Sequence, residues 1–566
     1  MTDTTTVDRS TDISQPLDKL GPDETLKYNS DYLRGTIAHA LLDRITGAVT
    51  FEDNKLMKFH GIYQQDDRDI RDERRRQKLE PAYTFMVRVR LAGGVCTPGQ
   101  WLKIDELARA HGGDTIRLTT RQTFQFHWVV KEDIKPTIQG LHEVLLDTIA
   151  ACGDDARGVM CTADPRDSDL HAEVTALAKA TSDHVIPRAR AYHEIWYGTD
   201  RVASSEEEEP FYGRTYLPRK FKIGFVIPPS NDIDVYTQDL GFIAVAGPEG
   251  LEGFNVSIGG GMGRSDQDPN TYPRLADVIG YIPKDRVIAA ADAVMGVQRD
   301  YGNRAERSRA RFKYTVDAKG LNFIVGEIER RMGAPLEPAR PYEFTSNGDE
   351  FGWRENGNGR FNYTVHILSG RVANRPGEPI MDGLRAIAEV HKGGFRITPN
   401  QNLIIADVAA EDRPGIERLL ADHGLLNDAQ ASAVRLNAIA CVALPTCPLA
   451  MAEAERYLPN FLEKVEAILA ENGLSDDAIT LRLSGCPNGC SRPYVAEIAL
   501  SGRAPGKYNL YLGGGFHGER LNRPYRENIG EGAILDILSE SLGRYARERT
   551  PGERFGDFVM RAGYFA

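Results

Sequence analysis

Polar and apolar positions alternate along Thr84 to Leu91 (TFMVRVRL), so this run predicts a strand with Arg88 and Arg90 opposite Val87, Val89 and Leu91. A second row of period two holds Arg117, Thr119, Arg121 and Thr123 on one face, and Lys220 with Lys222 makes a third. Another period governs Leu458 to Gly473. There Leu458, Phe461, Leu462, Val465, Ile468 and Leu469 recur at three and four residues, which predicts a helix with Pro459 in its first turn and Gly473 at its end. Strand and helix signals mix without a βαβ rhythm, so the expected class is α+β. No apolar run reaches the roughly 18 residues of a membrane span.

The pattern repeats. Arg117 to Phe126 (RLTTRQTFQF) aligns with Arg396 to Ile405 (RITPNQNLII), matching in arginine, threonine and glutamine, and each run follows a glycine pair. Cys161 to Asp167 (CTADPRD) aligns with Cys441 to Cys447 (CVALPTC), and Gly253 to Gly261 with Gly506 to Gly515. The landmarks keep one order in both halves, which indicates a duplication and predicts a pseudo-twofold molecule with a site between the halves. Against Cys447, Cys486 and Cys490 of the second copy, the first is expected to set Asp167 and the segment Pro218 to Lys222. Ser204, Ser205 and the acidic run Glu206 to Glu209 are expected to form a solvated loop.

A chain of 566 residues predicts several domains. Its formal net charge of -12 argues against general nucleic-acid binding, which needs a basic surface. The polar N-terminal stretch has no secretory signal, and seven dispersed cysteines do not form a disulfide framework, so a cytoplasmic protein without membrane contact is expected. No GxGxxG loop follows a strand; a dinucleotide is expected to bind elsewhere than on this chain. His127 fits a core or a cofactor edge equally, and Cys96, Cys152 and Cys161 lack partners at ligand spacing.

Cys441, Cys447, Cys486 and Cys490 form two pairs in the second copy alone. Four thiolates suit a zinc ion or a [4Fe–4S] cluster. The six-residue step from Cys441 to Cys447 fits zinc poorly, whereas a wider cluster accommodates unequal loops. Asn488 and the glycines around it would turn backbone N–H groups toward the sulfurs.

Cys441-x5-Cys447 with Cys486-Pro-Asn-Gly-Cys490 resembles the siroheme and [4Fe–4S] signature of the sulfite and nitrite reductase family. His60 to Asp69, Tyr216 to Lys222 and Pro448 to Arg456 resemble its haemoprotein subunits that work with an NADPH-dependent flavoprotein. The resemblance implies an internally duplicated α+β fold with two ferredoxin-like halves and two larger α/β-type domains. It implies siroheme and a [4Fe–4S] cluster on the four cysteines, with Cys490 shared between the two. It also implies the six-electron reduction of sulfite to sulfide for cysteine biosynthesis, with electrons from a flavoprotein partner carrying FAD and FMN. Arg88, Arg157, Lys220 and Lys222 match the positions that bind the substrate anion. Arg117, Arg121, Arg219 and Arg311 match those that hold siroheme carboxylates, and Asn488 lies at the cofactor. Nitrite as substrate and ferredoxin as donor are alternatives within the family, and a structural metal site is one outside it. The family has glycine where this chain has Trp128. The expected domains are a docking arm over 1–80, a first ferredoxin-like half over 81–149, a larger domain with the cations over 150–345, a second half over 346–425 and a cluster domain over 426–566.

Overall fold

The computed structural model describes residues 20–565 except 167, 189–194, 198–199, 204–208, 266–267 and 427–430. The strand predicted from residue 84 runs Tyr83–Arg88, and the predicted helix is Leu458–Glu471, with Phe461, Leu462, Val465 and Leu469 buried along one face. Helix Pro98–His111 shows how local sequence sets a boundary. The Thr97 hydroxyl accepts from the Gln100 N–H at 3.2 Å, and the Gln100 side chain accepts from the Thr97 N–H at 3.0 Å.

Four sheets carry the duplication. The two larger domains hold five-stranded sheets of identical connectivity. In one, Met160–Cys161, Ile223–Val226 and Leu240–Gly247 run parallel, and Gly250–Ile258 and Asp277–Pro283 follow antiparallel. In the other, Ala438–Ala440, Leu481–Ser484, Ile498–Ala504, Lys507–Leu512 and Arg523–Ile529 repeat that order. The aligned turns also coincide. Thr119 N–H donates to Thr123 O at 3.0 Å and Thr398 N–H to Asn402 O at 2.9 Å, with Gln122 and Gln401 both at positive φ (54° and 73°).

The ferredoxin-like halves exchange edge strands. Arg371–Arg375 from the second half pairs with Thr115–Leu118 of the first, and Val95–Cys96 of the first pairs with Gly394–Ile397 of the second. One apolar core, including Val87, Phe126, Leu384 and Ile405, therefore runs through both halves. Pseudo-equivalent residues meet at the axis: Asp234 and Arg492, each at positive φ before a short 3-10 turn, pair at 2.7 Å.

Three expectations change. The cysteine loop Gly485 to Arg492 joins Leu481–Ser484 to the next strand, so its structural equivalent is Ile227 to Asp234. Pro218 to Lys222 instead precedes strand Ile223–Val226, where no ligand loop stands in the second copy. Glu209 is buried rather than solvated, whereas Asp167 and Ser204 to Glu208 lie outside the described residues. The segment expected as an arm is folded from Pro22 onward, and its strand Ile62–Asp66 completes the edge of the first half's sheet beside Tyr83–Arg88.

Trp128, expected to stand at a position where the family usually carries glycine, sits at φ 67°. It lies in a bulge where Phe85 pairs with Val129 and Val87 with Phe126, a geometry that favours glycine. The indole packs on Gly113, where an added Cβ would meet its Cδ1 at 2.9 Å. Trp128→Ala keeps the backbone cost and loses this packing. It is expected to be less stable than Trp128→Gly by about 1 kcal/mol, read from urea midpoints.

Candidate functional site

The cysteine loop is held from both sides. The Thr120 hydroxyl of the first ferredoxin-like half donates to Cys490 O at 3.0 Å, Arg492 donates back to Thr120 O at 3.3 Å, and Arg264 N–H of the first large domain donates to Pro487 O at 3.1 Å. Gly485 N–H donates to Cys441 Sγ at 3.2 Å, and the Asn488 amide to Cys486 Sγ at 3.4 Å, as expected of donors turned toward sulfur. Two glycines have steric reasons. A Cβ on Gly485 would meet Ala443 Cβ at 2.5 Å, and Gly489 has φ 66°.

The four thiols act on one another. Burial raises Cys447 to about 12, with Cys490 and Cys486 adding to it, and burial then Cys490 hold Cys441 far above the ordinary thiol range. Proton-bearing thiols this crowded suit a charge-compensating metal group. Among the described residues, no three Cys, His, Asp or Glu side chains are placed to hold a single metal ion. Cys486 is buried while Cys490 is exposed, and each lies within electrostatic reach of a lysine, Cys486 of Lys220 and Cys490 of Lys222.

Those cations converge from separate elements. Arg88 donates to Cys152 Sγ at 3.0 Å and Ala151 O at 3.5 Å, and Arg157 reaches the same carbonyl at 3.2 Å and Gly153 O at 2.9 Å. Arg121 donates to Gln238 at 3.0 Å and Gly158 O at 2.7 Å; burial and then Arg157 lower it to about 9. Arg219 lies 3.7 Å from Asp154, and Arg311 is paired with Asp239 at 3.0 Å. Lys220 and Lys222 are half-buried, and among the described residues neither Nζ has a hydrogen bond or ion pair. Burial lowers both lysines well below their usual range. Arg219, Lys222 and Arg311 add to the effect on Lys220, and Arg121 and Arg311 to that on Lys222, against which Asp239 and Cys490 push back.

Arg117 departs from expectation. It is 1% exposed, and its fork is filled by Glu455 and by Ala440 O at 2.7 Å, so it faces an internal carboxylate rather than an open site. Arg371, paired across the exchanged strands with Arg117, holds the other Glu455 oxygen at 2.6 Å. Burial pushes Glu455 up, but Arg117 and Arg371 outweigh it and hold the carboxyl at about 2. Such a depressed group stabilises the fold above the unfolded value near 4.3 and loses that contribution as pH falls toward 2. Glu455→Ala is expected to cost about 3–5 kcal/mol at pH 7, a gap to wild type that narrows below about pH 4 in urea titrations. Glu455 and Arg371 escaped the sequence reading because neither sits in a spacing that signals chemistry.

The model described as "Nitrite/Sulfite reductase ferredoxin-like half domain" matches residues 76–144 and again 354–423, and "Nitrite and sulphite reductase 4Fe-4S domain" matches 177–336. The sulfite reductase [NADPH] hemoprotein beta-component of Nitrobacter hamburgensis is 68% identical over 557 residues, covering 98% of this chain and 97% of that relative.

The chain belongs to the nitrite and sulfite reductase family.

The protein of the same description from Staphylococcus saprophyticus is 55% identical over 96% of each chain. The solved NirA protein of Mycobacterium tuberculosis superposes with a TM-score of 0.80 at 25% identity, over 99% of each chain. Within this nitrite and sulfite reductase the 4Fe-4S model falls on the first copy, where residues 177–336 contain no cysteine. The four thiols stand in the second copy, whose sheet has the same connectivity.

The residues present fit both cofactors of the family. Four thiols gathered from two loops, with N–H donors aimed at two of the sulfurs, fit a [4Fe–4S] cluster. Lys220, Lys222, Arg88 and Arg121 form no ion pair with a carboxylate among the described residues, an unpaired cluster of cations that fits a polycarboxylate macrocycle and an anionic substrate. No described helix is long and apolar enough to cross a membrane.

Proposed function

We propose that the chain is the haemoprotein component of an assimilatory sulfite reductase, reducing sulfite to sulfide with electrons from a flavoprotein partner carrying FAD and FMN, in the cytoplasm. One observation carries this reading. Cations that form no ion pair among the described residues gather where the exposed thiol of the cysteine loop lies.

Siroheme and the cluster would supply electrons one at a time; Cys441, Cys447, Cys486 and Cys490 would hold the cluster, and Cys490 would also serve the siroheme. Arg121, Arg219 and the free edge of Arg311 would bind macrocycle carboxylates, and Asn488 would steady Cys486. Arg117 is better read as a tie between the exchanged strand and Glu455. Sulfite oxygens would be held by Arg88, Arg157, Lys220 and Lys222. Arg88 and Arg157 are set by the shared Ala151 carbonyl, so their forks are fixed before the anion arrives. As S–O bonds break, charge grows on the departing oxygen, and these cations stabilise it. The lysine ammonium groups give up protons readily because burial and neighbouring cations already disfavour their charge.

The test is an absorption spectrum of protein made in a host that supplies siroheme, before and after adding sulfite. Chlorin-type bands that shift with sulfite are expected. Full iron content without such bands would overturn the reading. Comparing kcat/KM for sulfite and nitrite, with flavoprotein or ferredoxin as donor, tests the substrate and the partner.

A further inference from the structure

A cavity of about 80 Å³ lies beside the substrate cations, beneath the N-terminal helices Pro22–Asn29 and Phe51–Met57. It has room for a small oxyanion, being several times the volume one water needs. Six of its lining side chains are basic and two, Asp23 and Asp154, are acidic, so its charge selects anions. Both carboxylates are already engaged. Asp23 pairs with Lys55 and, at 2.9 Å, with Arg307; Asp154 pairs with Arg307 at 2.7 Å, Lys27 at 3.6 Å and Arg219 at 3.7 Å.

Lys58 is the exception. It is half-buried, its Nζ makes no hydrogen bond or ion pair among the described residues, and it lies 5.5 Å from the centroid of the Tyr63 ring. Burial, then Arg307 and Arg219, lowers its affinity for a proton, a cost that a seated anion would relieve. Arg157 and Arg219 line this cavity and also belong to the site described above, so the two spaces share a wall.

We propose that this cavity is an antechamber for the oxyanion substrate, in which Lys58, backed by Arg219 and Arg307, takes sulfite from solvent and passes it to Arg157. The inference rests on the reading of sulfite as substrate. Its physical basis is focusing: a narrow cationic recess raises the local concentration of an anion and its rate of arrival, by 10 to 10³-fold for such clefts in general. Removing one cation from the recess is expected to forfeit about tenfold of that.

Two measurements on the holoenzyme and its Lys58→Met variant test this. In crystals soaked with selenate, an anomalous peak is expected within hydrogen-bonding distance of Lys58 Nζ and is lost in the variant. In stopped flow, sulfite association followed by the siroheme bands is expected to slow about tenfold in Lys58→Met, with kcat within about twofold. Lys58→Arg should restore the rate, binding of uncharged carbon monoxide should not change, and Lys392→Met, at a remote exposed ion pair, should match wild type. An unchanged sulfite association rate in Lys58→Met, or selenate density that ignores Lys58, overturns the antechamber and leaves the reductase reading standing. If sulfite fails to move the bands of the wild type, the reductase reading falls, and this inference with it.

Discussion

Cys490→Ser is expected to lower sulfite turnover by at least about 10³-fold, the scale on which losing a group that the reaction itself uses lowers a rate. The thiol is exposed, and the loop around it is fixed by contacts that do not use it. Thr120 binds the Cys490 carbonyl, Ser484 and Ser491 hydroxyls meet at 2.6 Å, and Arg492 is clamped by Asp234. The variant should therefore keep its fold while its iron content, acid-labile sulfide and siroheme bands change together. Cys96→Ser, a buried thiol remote from the loop, serves as the contrast and should retain all three. A Cys490→Ser enzyme working within tenfold of wild type would remove this cysteine from the electron path.

Lys222→Ala is expected to cut turnover by about 10²–10³-fold, as removal of one preorganised donor to a developing oxyanion does, with siroheme content nearly unchanged. Its backbone is held independently of its side chain, since Lys222 N–H donates to Asp239 Oδ2 at 3.0 Å and the same carboxylate anchors Arg311. Losing the ammonium group should leave the cradle standing and remove a cation and a proton. Lys222→Arg separates the two roles. It keeps the charge but not a proton that can leave near neutral pH, so it should recover sulfite affinity better than kcat. If siroheme is lost in step with activity in Lys222→Ala, the lysine holds the cofactor and not the substrate.

Much of the site was legible because its signals are local. The CPNGC loop, the aligned RLTTRQTFQF and RITPNQNLII runs and the paired lysines are short patterns whose spacing constrains geometry directly. The aligned runs indeed make the same turn, down to the left-handed glutamine. The alignment of Pro218 to Lys222 with the cysteine loop failed for a related reason. Landmark order is preserved through a duplication, but which loop lies between two given strands is a matter of sheet connectivity, and that places Ile227 to Asp234 opposite the cysteines. Arg117 shows what spacing leaves open. It looks identical to Arg121 in a row of period two, yet one is sealed against Glu455 and the other faces Gln238 and Gly158.

The sequence by itself determined the α+β class, the duplication, the four thiols and the excess of cations near them. Each depends on residue type and on spacing along the chain. Only the tertiary structure decided the exchange of edge strands that merges the two ferredoxin-like cores, the inward pairing of Arg117 with Glu455, and the recess in which Lys58 forms no ion pair among the described residues. These depend on partners hundreds of residues away. A side chain's partner, and so its charge state and its use, is set by which distant carboxylate or carbonyl burial brings within about 3 Å, a distance that no periodicity encodes.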